Sequence, residues 1–196
     1  MKKIVIASGN EGKINDFKSI FKEFEVIGIK TLLDDFEPIE DGQSFKDNAL
    51  IKAIEGSKRT NLPVVSDDSG LSVEALEGKP GIKSARFAGE HATDDENNKK
   101  LLDLLEGKEN RSAYFTSVIA VAFPDGTTST YEGAVFGEIL EAPVGNNGFG
   151  YDPLFQTLDG VKFGEISTDE KAEISHRKNA IDKLLKDEEL FKKLQK

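Results

Sequence analysis

Along the 196-residue chain the spacing of apolar positions changes several times, and each change marks an element. The run Ile4-Val5-Ile6-Ala7 predicts a buried strand over Lys2 to Ala7, closed by the loop Ser8–Gly12. Ile14, Phe17, Ile20, Phe21 and Phe24 then recur at helical spacing and predict a helix with one face on a sheet. Val26 to Ile29 reads as a short second strand, and the acidic stretch from Thr31 to Gln43, with Pro38 and Gly42, as loop. Ser44 stands as N-cap of a helix reaching Arg59, with Asp47 three positions on, close to a capping box.

Leu62 to Ser66 predicts an apolar strand that runs into Asp67-Asp68-Ser69-Gly70, with Leu71 to Ala75 continuing it. A turn follows at Gly78-Lys79-Pro80-Gly81. Thr93 with Glu96 forms a second capping box ahead of Leu101, Leu102, Leu104 and Leu105. Tyr114–Phe123 and Thr127–Val135 predict a hairpin around Pro124-Asp125-Gly126. Ser167 with Glu170, and then Ser175 to Leu185, predict closing helices before a Lys/Glu-rich, solvated C-terminal helix. Strands and helices alternate before a late hairpin, which is an α/β pattern with a mixed sheet.

Composition narrows the function classes. The chain shows no repeat or long linker, and its length suits a single domain spanning residues 1–196. Its 26 basic and 36 acidic residues give a net charge of −10, which argues against nucleic acid or an anionic membrane as the main partner. No cysteine is present, so thiolate catalysis, disulfides and iron–sulfur ligation are excluded. Two histidines, His91 and His176, do not make a histidine-rich metal site. The first apolar run is too short for a signal peptide or a membrane span, so a cytoplasmic setting is expected.

Four segments carry candidate chemistry, each with a plainer reading beside it. Ser8-Gly9-Asn10-Glu11-Gly12-Lys13 joins a strand to a helix; such a loop turns its N–H groups toward an anion, or is simply a Gly-rich turn. Asp67-Asp68 at a strand end, with Glu40 from the acidic loop, suits a hard cation such as Mg²⁺, or an Asp-capped turn. Adjacent strand residues point to opposite faces, so the two aspartates share one ligand only if the chain bends, for which Gly70 is placed. Gly145 to Pro153 surrounds Phe149 and Tyr151 with glycines, fit for stacking on a flat ligand or for a plain connection. Ser175-His176-Arg177, after Lys171, places cations at a helix start, where they meet an anion or lie on a solvated face. Together these are the parts of a Mg²⁺–nucleotide site.

In order and context the segments resemble the inosine triphosphate pyrophosphatase family, in its bacterial dITP/XTP branch. The resemblance rests on Ser8, Asn10 and Lys13; on Glu40, Gly42, Ser44, Phe45, Asp47, Asn48, Ala49, Lys52 and Ala53; and on Asp67 to Leu71. It continues through Pro80 to Phe87, Gly148 to Pro153 and Lys171 to Arg177, nearly the whole chain. Ser8, Asp47 and Lys83 are small departures from the family pattern.

The resemblance implies an elongated mixed sheet with flanking helices, two lobes around a central cleft, and a homodimer. It implies Mg²⁺-dependent hydrolysis of ITP, dITP or XTP to the monophosphate and pyrophosphate, which clears deaminated purines from the nucleotide pool. Asp68 is then the proton acceptor and, with Glu40, a metal ligand, and Asp67 supports them. The triphosphate falls to Ser8, Gly9, Asn10, Glu11, Gly12, Lys13, Lys52 and Ser69. Phe149 stacks on the base, while Gly150, Tyr151, Asp152, Lys171, His176 and Arg177 surround it.

Overall fold

The computed structural model describes residues 2–195. Among these the strands form one six-stranded sheet in the order β2-β1-β3-β4-β5-β6. The strands are β1 (Lys2–Ile6), β2 (Phe24–Gly28), β3 (Val64–Val73), β4 (Ser112–Ala122), β5 (Thr128–Ile139) and β6 (Phe155–Thr157). β1 pairs in parallel with β2 and β3, whereas β5 pairs antiparallel with β6, so the sheet is mixed as expected. The helices are α1 (Glu11–Ile20), α2 (Phe45–Thr60), α3 (Asp94–Leu105), α4 (Thr168–Ile174), α5 (His176–Lys186) and α6 (Glu188–Leu194).

The chain divides into two compact units. The first comprises residues through Asp68, Ser117–Gly133 and the segment from His176 onward; the second comprises Ser69–Thr116 and Ala134–Ser175. In the first unit, Ile4, Ile6, Phe17, Phe21, Val65, Ile119 and Ile181 share one core cluster. On another cluster, Ala49 and Ala53 of α2 meet Val118, Ala120 and Ala122 of β4. Small residues on both sides let α2 lie close to the sheet. The second unit centres on Leu71, Leu101, Leu105, Phe115, Leu154, Phe155 and Phe163, with Phe115 and Phe155 rings 4.7 Å apart.

Helix starts follow the sequence closely. Thr93 and Ser167 each close a full capping box, with Glu96 and Glu170 respectively, and such caps stabilise a helix by about 1 kcal/mol. Ser44 accepts from the Asp47 N–H, but the Asp47 carboxylate turns to the Gln43 N–H instead of completing the box.

Three expectations change. Phe24 does not extend the first helix: α1 ends at Ile20 and Phe24 opens β2, though its ring stays 5.6 Å from that of Phe21. No turn interrupts the chain at Gly70, because Asp67 to Gly70 all lie within β3, Val64–Val73. The C-terminal helix is not wholly solvated, since Leu190 and Leu194 of α6 are buried in the first unit's main cluster.

Candidate active site

In the first unit, β1 delivers the chain to the loop before α1. Asn10 caps that helix by accepting from the Lys13 N–H at 3.0 Å, and the Asn10 N–H donates to Ser8 Oγ at 3.1 Å. The loop is therefore folded on its own polar side chains, with Glu11 and Gly12 in the first turn of α1. Lys30, which no sequence motif singled out, runs alongside Gly9 and pairs with Glu37 at 3.2 Å. Lys13 reaches past the helix start to Asp67, Nζ to Oδ2, at 2.8 Å.

The loop carrying Glu40 is fixed to α2, where the Gly42 N–H donates to Asn48 Oδ1 at 2.9 Å. Asn48 and Lys52 lie one turn apart on the buried face of α2, so the same face holds the loop and presents the ammonium. Lys52 Nζ lies 2.8 Å from Glu40 and 3.2 Å from Asp68. Ser66 Oγ donates to the Ala49 carbonyl at 2.5 Å, which ties β3 to α2 next to these groups.

On β3, consecutive residues face opposite ways, and Asp67 and Asp68 have different partners. Asp67 is completely buried; it accepts from Ser117 Oγ at 2.5 Å and from Arg177 at 3.1 Å, besides pairing with Lys13. Burial opposes its charge, but Arg177 and then Lys13 hold the carboxyl well below the usual carboxylate range. Asp68 goes the other way: burial raises its pKa, Lys52 and Lys13 offset part of that, and Asp67 and Glu40 add to it. Burial also works against the charged form of Lys52, yet Asp68 and Glu40 leave it raised overall. Adjacent carboxyls pushed in opposite directions suit different roles, one fixed as a charge and the other a stronger base.

Two parts of this network escaped sequence reading. Asp16 is buried on α1 and ion-pairs with Arg177, and Ser117 holds Asp67 from β4. Arg177 is no solvated helix residue: at 1% exposure it anchors Asp16 and Asp67. His176 is buried beside it at the start of α5.

The carboxylates of the site decide whether it could hold a metal ion. Among the described residues no group of three His, Cys, Asp or Glu is spaced to hold one. Two carboxylates, Glu40 and Asp68, do converge on a single ammonium, and Asp68 Oδ2 is buried with no hydrogen-bond partner. That donor set fits Mg²⁺, which keeps waters and takes substrate oxygens alongside one or two carboxylates.

The second unit holds Ser69 and the aromatic loop. The Asn147 N–H donates to the Gly164 carbonyl at 2.9 Å, and the Val144 N–H to the Pro153 carbonyl at 2.8 Å. Asp152 is buried and accepts through Oδ2 from the Phe149 N–H at 3.0 Å and from Lys171 Nζ at 2.6 Å. Gly148, at φ +76°, passes so close to that carboxylate that a side chain there would collide with it. Lys171 Nζ sits 4.6 Å from the centre of the Phe149 ring. Tyr151 donates its hydroxyl to the Ser84 carbonyl at 2.6 Å, so it serves as a strut, and burial raises its pKa well above the ordinary phenol value. The structure thus joins Phe149, Asp152 and Lys171 in one cluster.

Comparison with known proteins agrees with these observations. The Ham1 family profile matches residues 4–187. A dITP/XTP pyrophosphatase of Staphylococcus aureus is 49% identical over 186 residues, covering 94% of this chain and 95% of its own. The structure of the Staphylococcus aureus Ham1 protein superposes with a TM-score of 0.82 at 48% identity, over 93% of this chain and 96% of that one. A HAM1 protein from Coxiella burnetii gives the same TM-score at 38% identity, over 94% and 96%. With a profile spanning most of its length and relatives near half identical, this chain belongs to the Ham1 family.

Proposed function

We propose that the protein hydrolyses ITP, dITP and XTP to the nucleoside monophosphate and pyrophosphate with Mg²⁺, removing deaminated purine nucleotides from the cytoplasmic pool as a homodimer. The observation that carries this reading is the placement of Lys52 against both Glu40 and Asp68, beside a buried Asp68 oxygen with no other partner. The similarity to the Staphylococcus aureus dITP/XTP pyrophosphatase supports the substrate class.

In this mechanism water attacks the α-phosphorus in line and pyrophosphate leaves. Asp68 takes the water's proton at its carboxylate. Asp67 stays ionised and keeps Lys13 and Arg177 in place. Ser8 to Lys13, with Lys52 and Ser69, holds the triphosphate by backbone N–H groups and cations. Glu40 and Asp68 would hold Mg²⁺, which supplies charge neutralisation of the phosphoryl oxygens.

Phe149 stacks on the base. Gly150, Tyr151, Asp152 and Lys171, of the same unit, form its surroundings. A donor aimed at a 6-oxo group meets an N–H in adenine and is left unsatisfied, at a cost of ~1–3 kcal/mol. The test is a panel of ITP, dITP, XTP, dATP and dGTP with Mg²⁺ and with chelator. Turnover confined to the first three and abolished by chelation is expected; equal turnover of dATP would overturn the selectivity.

A further inference from the structure

Between Phe149 and Tyr151, the backbone of Gly150 is gripped from both sides by α3. Its N–H donates to Asp94 Oδ2 at 2.7 Å, and its carbonyl accepts from Asn98 Nδ2 at 3.0 Å. Asp94 and Asn98 are four residues apart, so they project from one helix face as a pair. Gly150 sits at φ +60°, a conformation that lacks intrinsic support from a side chain and gains it here from outside.

The helix that does this is itself firmly held. Its N-terminus has the Thr93–Glu96 capping box, Asn97 donates to the Ala85 carbonyl at 3.0 Å and accepts from the Ala88 N–H at 2.8 Å, and Leu101 and Leu105 are in the core.

We propose that Asp94 and Asn98 are positioning residues that clamp Gly150, and thereby set the pose of the Phe149 ring and the affinity for the base. This rests on the reading of Phe149 as the base-stacking residue. A rigid helix holding a loop peptide at two points is how a site on a loop gains the precision of one on a helix. The clamp acts on binding, and none of its residues is assigned to phosphate chemistry, so its loss raises KM and spares kcat.

Asp94 also stands in the first turn of α3, where any acid favours the helix. The conservative variant separates the two roles. Asp94→Asn keeps an acceptor for Gly150 but loses the charge; Asp94→Ala loses both.

The experiment measures amide exchange at Gly150 by NMR in the wild type, Asp94→Ala, Asp94→Asn and Asn98→Ala, together with dITP kinetics. Exchange should accelerate about tenfold or more in both alanine variants, and KM for dITP should rise roughly tenfold with kcat within about twofold. Asp94→Asn should stay near wild type in both. Unchanged exchange in the alanine variants, faster exchange with unchanged KM, or an Asp94→Asn variant as impaired as Asp94→Ala would each overturn the clamp. Lack of dITP turnover by the wild type would instead defeat the substrate reading, and the exchange data would still decide whether Gly150 is held.

Discussion

Asp67 and Asp68 are neighbours on one strand, yet Asp67 is held well below the usual carboxylate range while burial pushes Asp68 up from its ordinary value. Strand alternation separates their partners, giving Asp67 to Arg177, Lys13 and Ser117 and leaving Asp68 to Lys52. One aspartate thereby becomes a fixed internal charge, and the next is assigned to the chemistry.

If Asp68 accepts the proton, Asp68→Asn should lower kcat by a factor on the order of 10²–10⁴ while dITP still binds. Steady-state kinetics with a separate binding titration checks this. Turnover near the wild-type rate would remove Asp68 from the reaction.

Glu40 is offered as a metal ligand and lies outside the set that touches Asp67. Glu40→Gln should raise the Mg²⁺ concentration needed for half-maximal rate by roughly tenfold with the fold intact. A Mg²⁺ titration of dITP turnover, read against circular dichroism, gives the answer. An unchanged Mg²⁺ requirement would place the ion elsewhere.

Asp67 makes stability depend on pH in a defined direction. In the unfolded chain an aspartate titrates near 3.8, and in the folded protein well below it. Between those values the unfolded chain binds more protons, so this contribution is complete above about pH 4 and is lost as pH falls through the folded value. Arg177→Met should cost about 3–5 kcal/mol at pH 7, because it removes the cation that pairs with both buried carboxylates, Asp16 and Asp67. The loss should shrink as pH falls, because in the variant the buried Asp67 lacks the guanidinium that holds its pKa down and takes up a proton, whereas in the wild type it stays ionised. Urea unfolding at several pH values measures it, and a loss independent of pH would contradict the pairing.

In the cluster proposed to bind the base, Lys171 is buried between Asp152 and the Phe149 ring. Lys171→Met should reduce the preference for dITP over dATP about tenfold, the value of one charged hydrogen bond. The ratio of the two kcat/KM values is the readout, with thermal melting to account for the stranded Asp152. An unchanged ratio would move base recognition to other residues.

Much of this was legible in local sequence, because caps and strands are decided by neighbours. Ser44, Thr93 and Ser167 announce their helices, and the run around Val64 announces β3. Periodicity misplaced Phe24, since apolar spacing reports burial beside Phe21 and not the backbone that achieves it. The ties of Asp16 to Arg177 and of Ser117 to Asp67 join residues 161 and 50 positions apart. No local pattern encodes such pairs, and only the folded sheet and helices create them. For the same reason the sequence, which assigned Arg177 to the surroundings of the base, did not reveal its pairing with Asp16 and Asp67.

The most direct test of the central claim is a single turnover of dITP with Mg²⁺ in ¹⁸O-labelled water, with the products resolved by mass spectrometry. Attack at the α-phosphorus predicts the label in dIMP and none in pyrophosphate. Label in the pyrophosphate would place the attack on the β-phosphorus and contradict the mechanism built on Asp68.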